Sequence, residues 1–467
     1  MNFLIDYAIL EENVLYNWKE GLIMKVVIIG ASFAGVSAAL AIRKKHPAAE
    51  IHLIEKQSTI GYLPGGINLY FNKTIGPIEE AQFISEQQLK KCTIQLLLAA
   101  TVVKIDSKRQ MVIYEKQAED FCISFDKLIL ATGASQWSQK ILGSDSEKVL
   151  KYKFLPGVLK AIEQLKNSQK VALIGGGQIG AEAADMLLKQ GKEVHLFEQM
   201  DYLLFKYFDR EMIRPVQEEM ALKGIIFHFE ETVEKIVDSD QGLRIESKMT
   251  KLDCDSAVFA MNVRPDLAYL DEHIQVHTDR TVYVNEYLQT SQANIFAIGD
   301  CIQVPYSLSN ESFYIPLVNN AVRTGLVVAQ NLVENTTPFV GAIRTIGTKL
   351  VDYYVASTGL TEAEGLFYDQ PIGVSHVEQK SALFLGGEII YGKIIFEKES
   401  HRILGAQLVS KANILEKINT LALSIQMGQT LEELYQKDYL YHPYFSTILD
   451  ITNQLGFEGL WSEANEN

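Results

Sequence analysis

The chain has 467 residues, 47% of them hydrophobic and 22% charged, and its 43 Lys and Arg against 58 Asp and Glu leave a net charge of −15. That length suffices for about three domains of ordinary size, and the acidity, with no concentrated Lys/Arg stripe to reverse it, argues against nucleic acid and anionic lipid as partners. The four cysteines, Cys92, Cys122, Cys254 and Cys301, are scattered, with no Cys-x-x-Cys pair and no metal-ligand spacing to the nine histidines, which argues against a disulfide framework and against a metal site.

Residues 1–23 mix Phe, Leu, Tyr and Trp with Asp6, Glu11, Glu12, Lys19 and Glu20, so they lack the basic start and apolar middle of an export signal. Met24 stands directly before the first apolar strand, and the leader reads as a start-site artefact or a peripheral helix. The longest predominantly apolar run, Leu96 to Val103, is far short of the roughly 20 residues that span a bilayer. A cytoplasmic protein without a membrane span is expected.

Val26 to Ile29 is all apolar, as a parallel strand buried on both faces requires, and Gly30 opens the turn into a helix from Ala34 to Lys45. Ile51 to Ile54, closing on Glu55, completes a β-α-β unit. The pattern KVVIIGASFAGVSAAL…EIHLIEK recurs further on as KVALIGGGQIGAEAADML…EVHLFEQ. In that second copy Val171 to Ile174 is the strand, Gly175 to Gly180 the turn, a helix runs to about Lys189, and Val194 to Phe197 closes on Glu198. Ser291 to Asp300 adds an apolar strand ending on Gly-Asp. From about residue 335 the pattern changes: Tyr391 to Ser410 alternates around a polar turn at 398–402, which predicts an antiparallel hairpin; Ile414, Ile418, Leu421 and Ile425 form a helical stripe; Thr430 and Glu433 form a capping box. The fold class expected is α/β, with two Rossmann-like dinucleotide-binding domains and an α+β C-terminal domain.

A dinucleotide pyrophosphate needs helix N-terminal amides, glycines that allow close approach, and an acid about 20 residues on for the adenosine ribose. Gly175, Gly177, Gly180 and Glu198 fulfil this pattern; Gly30, Ser32, Gly35 and Glu55 fulfil it with serine at the middle position. Gln199, Met200 and Asp201 offer no cation to a 2′-phosphate, so NADH is expected over NADPH.

Asp126 to Gly133 (DKLILATG), Asn294 to Cys301 (NIFAIGDC) and the two glycine-loop units, in this order, resemble the pyridine nucleotide-disulfide oxidoreductase superfamily. Arg402 to Ala412 (RILGAQLVSKA), Ile418 to Gln426 (INTLALSIQ) and His442 to Phe445 (HPYF) are similar to its branch of NADH oxidases, NADH peroxidases and coenzyme A-disulfide reductases, and the resemblance covers residues 24–458. It implies FAD on the first unit, held by Gly30, Ser32, Phe33, Ala34 and Gly35, with Glu55 and Lys56 at the adenosine end, Ala131, Thr132 and Gly133 beside the flavin, and Gly299 and Asp300 at the ribityl or pyrophosphate oxygens. Asp300 is equally suited to capping the following helix. The resemblance also implies NADH on the second unit, with Gly175, Gly177, Gln178, Ile179, Gly180, Glu182, Glu198 and Asn262 around it. Glu182 either meets the nicotinamide end or lies on a solvated helix face. The implied layout is a FAD-binding domain from 24–136 and 263–333, an NAD-binding domain from 137–262, and a dimerisation domain from 334–467 that makes a homodimer.

Several positions depart from the branch. Its redox cysteine sits in a segment like Ser-Phe-x-x-Cys-Gly, and Gly61-Tyr62-Leu63-Pro64-Gly65-Gly66 puts Gly65 there. A histidine of the first glycine loop is replaced by Phe33. Gln178 replaces a tyrosine that covers the flavin, and Asn262 a glycine. None of the four cysteines lies within 25 residues of Gly65; Cys301 follows Asp300 and admits two roles, a thiol near FAD or a small buried hydrophobe. His442 is either an acid-base group delivered to the partner subunit or a packing residue. The leading expectation is an enzyme that takes hydride from NADH onto FAD and reduces oxygen to H2O2, or another small acceptor, without a redox cysteine. The alternatives are a reductase of a quinone, carrier protein or disulfide, and a turnover-deficient NADH-binding regulatory flavoprotein. Arg43, Lys44 and Lys45 admit contact with a coenzyme A phosphate or a solvated helix end.

Overall fold

The computed structural model of the chain describes residues 23–136, 141–239, 242–261, 263–309, 311–384 and 386–466, with side chains to residue 461. The leader, residues 1–22, and Asn262 lie outside the described residues. The described residues fall into two compact units, one built from the stretches up to 136, 152–158 and 263–342, the other from 141–151, 159–261 and 343 onward.

In the first unit β1 (Lys25–Ile29), α1 (Phe33–Lys45) and β2 (Glu50–Ile54) follow the expected order. The parallel sheet runs Ile295–Ala297, Lys127–Leu130, β1, β2, Gln95–Leu97. Val26, Val27 and Ile28 are wholly buried, because helices cover a parallel sheet on both faces; each such side chain stabilises by roughly 1.5–3 kcal/mol. Ala34 to Ile42 are buried without a break along α1, and the small residues there let the helix Val318–Asn331 lie close, with Gly325 against Ala34 and Ser37. A three-stranded antiparallel sheet (Thr101–Asp106, Met111–Lys116, Glu119–Ser124) completes this unit.

The second unit repeats the plan with β3 (Lys170–Ile174), α2 (Gln178–Lys189) and β4 (Glu193–Glu198), in a parallel sheet ordered Ile225–Phe229, β4, β3, Ser256–Phe259, Val149–Leu150. It also contains a five-stranded antiparallel sheet ordered Ile346–Leu350, Tyr353–Gly359, Ile403–Ser410, Ile389–Glu397, Ile372–Lys380. The hairpin expected around 398–402 is present as Ile389–Glu397 against Ile403–Ser410. Ile418, Leu421 and Ile425 are buried on the helix Leu415–Gln426, with Ile414 buried at its start. Thr430 and Glu433 form the reciprocal capping box, a device of the kind whose loss costs about 1 kcal/mol.

One polar cluster ties this unit together. The Lys393 side chain has no exposed surface, and its Nζ lies 2.9 Å from Asp209 Oδ2 and 2.6 Å from Glu362 Oε2, with Glu211 as third partner. Asp209 also accepts from the Glu362 amide (3.0 Å) and from Gln407 Nε2 (2.6 Å). Burial alone pushes the Asp209 carboxyl up, but the Glu362 and Lys393 hydrogen bonds outweigh it and hold it below its ordinary value. Asp209, Glu211 and Glu362 are spaced as cation ligands; the cation they hold is the Lys393 ammonium.

Candidate active site

In the first glycine loop the Gly30 amide donates to the Ile54 carbonyl at 2.8 Å, closing β1 against β2. A Cβ on Gly35 would collide with the Gly30 carbonyl and touch Ala131 Cβ at 3.4 Å, so glycine is what lets α1 seat on the sheet. Ser32 caps α1 without a side-chain hydrogen bond, and the first turn holds no acidic residue. Its amides are therefore left to an external anion, aided by the helix dipole. Glu55 accepts from the Ala31 amide at 2.8 Å and from the Gln57 amide at 2.9 Å, one on each oxygen. Each oxygen keeps a second lone pair for a ribose hydroxyl. Gly299 presses on Ala34, where a Cβ would come within 2.8 Å, and its amide donates to Thr324 Oγ1 at 3.1 Å. Asp300 is thus set at the start of α1, with Lys153 Nζ 3.3 Å from its Oδ2. Thr132 shares a 2.7 Å hydrogen bond with Tyr269, Phe33 stacks on Phe83 at 4.4 Å, and Lys56 lies 5.1 Å over the Phe154 ring. The free helix amides, the glycine cradle and the oriented carboxylate fit a dinucleotide.

The second loop reproduces the geometry. Glu198, 5% exposed, accepts from the Gly176 amide (2.7 Å) and the Met200 amide (2.9 Å). A Cβ on Gly180 would collide with the Gly175 carbonyl, whereas one on Gly177, which caps α2, would meet nothing within 4 Å. Gln178 Nε2 and Thr348 Oγ1 both donate to Glu182 Oε1, at 3.0 and 2.7 Å, so this carboxylate is held in place rather than left on a solvated face. Ile179 is half exposed. Beyond Glu198, Asp201 pairs with Arg210, whose guanidinium lies 5.5 Å over the Tyr202 ring.

Gly65 caps the short helix Gly66–Phe71 in the left-handed region, φ 87°, and a Cβ there would meet no atom within 4 Å. The Cys301 thiol is fully buried, donates towards the Ile298 and Leu130 carbonyls at 3.2 and 3.4 Å, and is pushed up to about 12 by burial. Burial also pushes Cys254 up to about 12 and raises Cys92, the latter against the opposing Arg43 charge. Cys122 is exposed on the strand Glu119–Ser124. His442 is exposed, stacks on Phe445 at 4.8 Å, and accepts at Nδ1 from the Tyr444 amide at 3.3 Å. Arg43 donates to the carbonyls of Cys92 and Thr93, each at 3.0 Å, and of Pro47, tying α1 to the chain beyond it. Lys45 donates to Gln330 at 2.6 Å.

The structure gathers Gly30–Gly35, Glu55, Ala131–Gly133 and Gly299–Asp300 in the first unit, and Gly175–Glu182 with Glu198 in the second. Lys153, Tyr269, Phe83 and Thr348 join these groups through contacts between distant segments, for which no local motif stands in the sequence.

Residues 24–325 match the family model described as pyridine nucleotide-disulphide oxidoreductase, and residues 346–451 match its dimerisation domain. Among solved structures, the chain is 53% identical to a pyridine nucleotide-disulfide family oxidoreductase from Enterococcus faecalis V583, covering 94% of this chain and 100% of that one with a TM-score of 0.87. It is 29% identical to a water-forming NADH oxidase from Lactobacillus brevis bound to NADH, covering 95% and 99%, with a TM-score of 0.91. A further relative, an NADH oxidase of Enterococcus faecalis, is 29% identical over 92% of this chain and 98% of its own. Among the described residues no helix is long and apolar enough to cross a membrane.

Proposed function

The chain belongs to the pyridine nucleotide-disulphide oxidoreductase family and is an oxidoreductase using FAD and NADH; from that premise we propose that it reduces oxygen to hydrogen peroxide without a redox thiol. The observation that carries this reading is Gly65. Glycine has no sulfur to form a sulfenic acid or mixed disulfide, and none of the four cysteines stands within 25 residues of it. Cys301, beside Asp300, is locked as a buried thiol and is no substitute. With no thiol to cleave the O–O bond, the balance is NADH + H⁺ + O2 → NAD⁺ + H2O2.

Bound FAD supplies hydride acceptance and electron delivery. The chain supplies the rest. The amides at the start of α1 hold the FAD pyrophosphate, Glu55 orients its ribose, and Asp300, anchored by Lys153, fixes the stretch between. The α2 terminus and Glu198 do the same for NADH, and Gln178 and Thr348 steady Glu182 towards the nicotinamide end. The matched dimerisation domain, with Leu440, Phe445 and Ile448 exposed at 83%, 74% and 79%, supports a homodimer whose partner covers this segment and receives His442.

The open space at Gly65 favours one variation, in which a small organic oxidant such as a quinone takes the electrons there instead of oxygen. The test is anaerobic mixing of FAD-loaded protein with NADH, followed by admission of air and measurement of peroxide. Bleaching and then one H2O2 per NADH is the expected result. Two NADH consumed per oxygen with no peroxide would overturn it and point to water formation. Slow reoxidation in air that a quinone accelerates would favour the organic acceptor.

A further inference from the structure

The loop beyond Glu198 is pinned at several points. The Met200 amide binds Glu198, the Met200 carbonyl accepts from the Glu230 amide at 3.0 Å, and the Leu204 amide donates to the Gly176 carbonyl at 3.0 Å. The segment 200–204 therefore lies directly against the second glycine loop, at the side where Glu198 meets the adenosine ribose. Arg210 is just as firmly based: it is the first residue of the helix Arg210–Leu222, whose cap residue Asp209 is locked by Lys393 and Gln407. Its guanidinium is spread over Tyr202 and paired with Asp201. The pair is half exposed, at 59% for Arg210 and 37% for Asp201, and such pairs contribute little to stability. Its larger effect falls on a charged ligand. A guanidinium beside the ribose carboxylate is the group that accommodates the 2′-phosphate of NADP, and here a carboxylate already occupies it.

We propose that Asp201 is a second coenzyme-selecting residue, which excludes NADPH by neutralising Arg210, a cation otherwise placed to receive the 2′-phosphate. The proposal rests on the adenosine ribose lying at Glu198. Two carboxylates then face a phosphate dianion: Glu198 is committed to backbone amides, and Asp201 both repels the phosphate and withholds its natural partner. Removing the Asp201 charge frees a bidentate donor, and charge-assisted hydrogen bonds of this kind are worth about 1.5–3 kcal/mol, roughly ten- to a hundredfold in affinity.

The test compares Asp201→Asn and Asp201→Ser, each with Arg210 intact and with Arg210→Ala, in the FAD-loaded protein. It reads kcat/KM for NADH and NADPH, and calorimetric binding of adenosine 2′,5′-bisphosphate against AMP. Neutralising Asp201 should raise NADPH kcat/KM and bisphosphate affinity about tenfold, leave NADH within about threefold, and lose the gain when Arg210 is alanine. A gain of equal size without Arg210 would overturn the proposal, leaving simple charge removal or the nearby exposed Lys206 as the cause. No gain in either Asp201 variant, with flavin content and melting unchanged, would also overturn it. A Glu198→Ala arm separates the premise: if NADH KM and AMP binding do not move, the adenosine site lies elsewhere and the proposal fails with it.

Discussion

The two glycine-loop units share one carboxylate geometry and differ in what surrounds it. Glu55 and Glu198 each take one backbone amide on each oxygen, and Gly35 and Gly180 each press on the carbonyl of the first glycine. Even the Glu-x-His at each second strand recurs, with His52 2.6 Å from Glu50 and His195 2.9 Å from Glu193. The second unit then extends its histidine. His195 Nδ1 meets His228 Nε2 at 3.0 Å, His228 stacks on Phe197 at 4.3 Å and faces Glu231 at 3.5 Å, and Glu231 is held by Ser247 and Thr250. His52 pairs in the ladder with Gln95, and Leu97 takes the place that His228 has in the second unit. What recurs is what a pyrophosphate and a ribose demand. What differs is free to serve one coenzyme or one unit's stability.

The largest test applies one lesion to both units. Gly35→Val and Gly180→Val each drive side-chain carbons into a backbone carbonyl, costing about 1–3 kcal/mol or more. Gly35→Val should yield protein without flavin absorbance. Gly180→Val should stay yellow but fail to bleach with NADH; normal bleaching would break the assignment of units to coenzymes.

A smaller, pH-dependent effect should draw on both units, since burial lowers the His46 pKa in the first as well as that of His228 in the second, and the His195–His228 pair is the second unit's own share of it. Burial lowers the His228 pKa, the Glu231 carboxylate opposes this, and the charge of His195 adds to it. A histidine whose folded value lies below its unfolded one, about 6.5, adds stability present above pH 6.5 that is lost as pH falls towards the folded value. Melting curves between pH 5 and 8 should show stability falling below about pH 6.5, by at most about 1.4 kcal/mol per pH unit per proton. His228→Gln should remove the second unit's part of that fall and leave the part due to His46, with His52→Gln as the matched control from the first unit. An unchanged slope in His228→Gln would reject the histidine pair as its source.

The smallest effect concerns the helix caps. The Ser32 side chain makes no cap bond, and a Cβ on Gly177 is unobstructed. Ser32→Gly and Gly177→Ser should each change stability by only a few tenths of a kcal/mol, read as unchanged melting; a large shift in either would mean that the two caps are not equivalent.

Both β-α-β units were legible because their signals are local. An apolar strand, a glycine turn and a terminal acid stand within some thirty residues, and the hairpin ending at Ser410 and the Thr430 capping box declare themselves over shorter spans. Lys153 against Asp300, Phe83 behind Phe33, and His228 beneath His195 were not legible. Each is a side-chain meeting across many residues, set by how the sheets order their strands, and nothing in the neighbouring sequence marks it. The three carbonyls that the Arg43 guanidinium meets, two of them some fifty residues on, were likewise not legible from the basic cluster at 43–45.

The Lys393 cage bears on the order of folding. Lys393 and Glu211 are 182 residues apart, and Glu362 arrives from a further segment, so the ammonium has its full set of partners only after three stretches, 209–211, Glu362 and the hairpin that carries Lys393 and Gln407, have met. Contacts with so high an entropic cost of closure form late. The cage should then act as a latch rather than a nucleus: weakening it with Lys393→Met should appear mainly on the unfolding arm of a chevron, shortening the native lifetime while leaving the folding rate nearly unchanged. A slowed folding arm would instead place Lys393 in the nucleus.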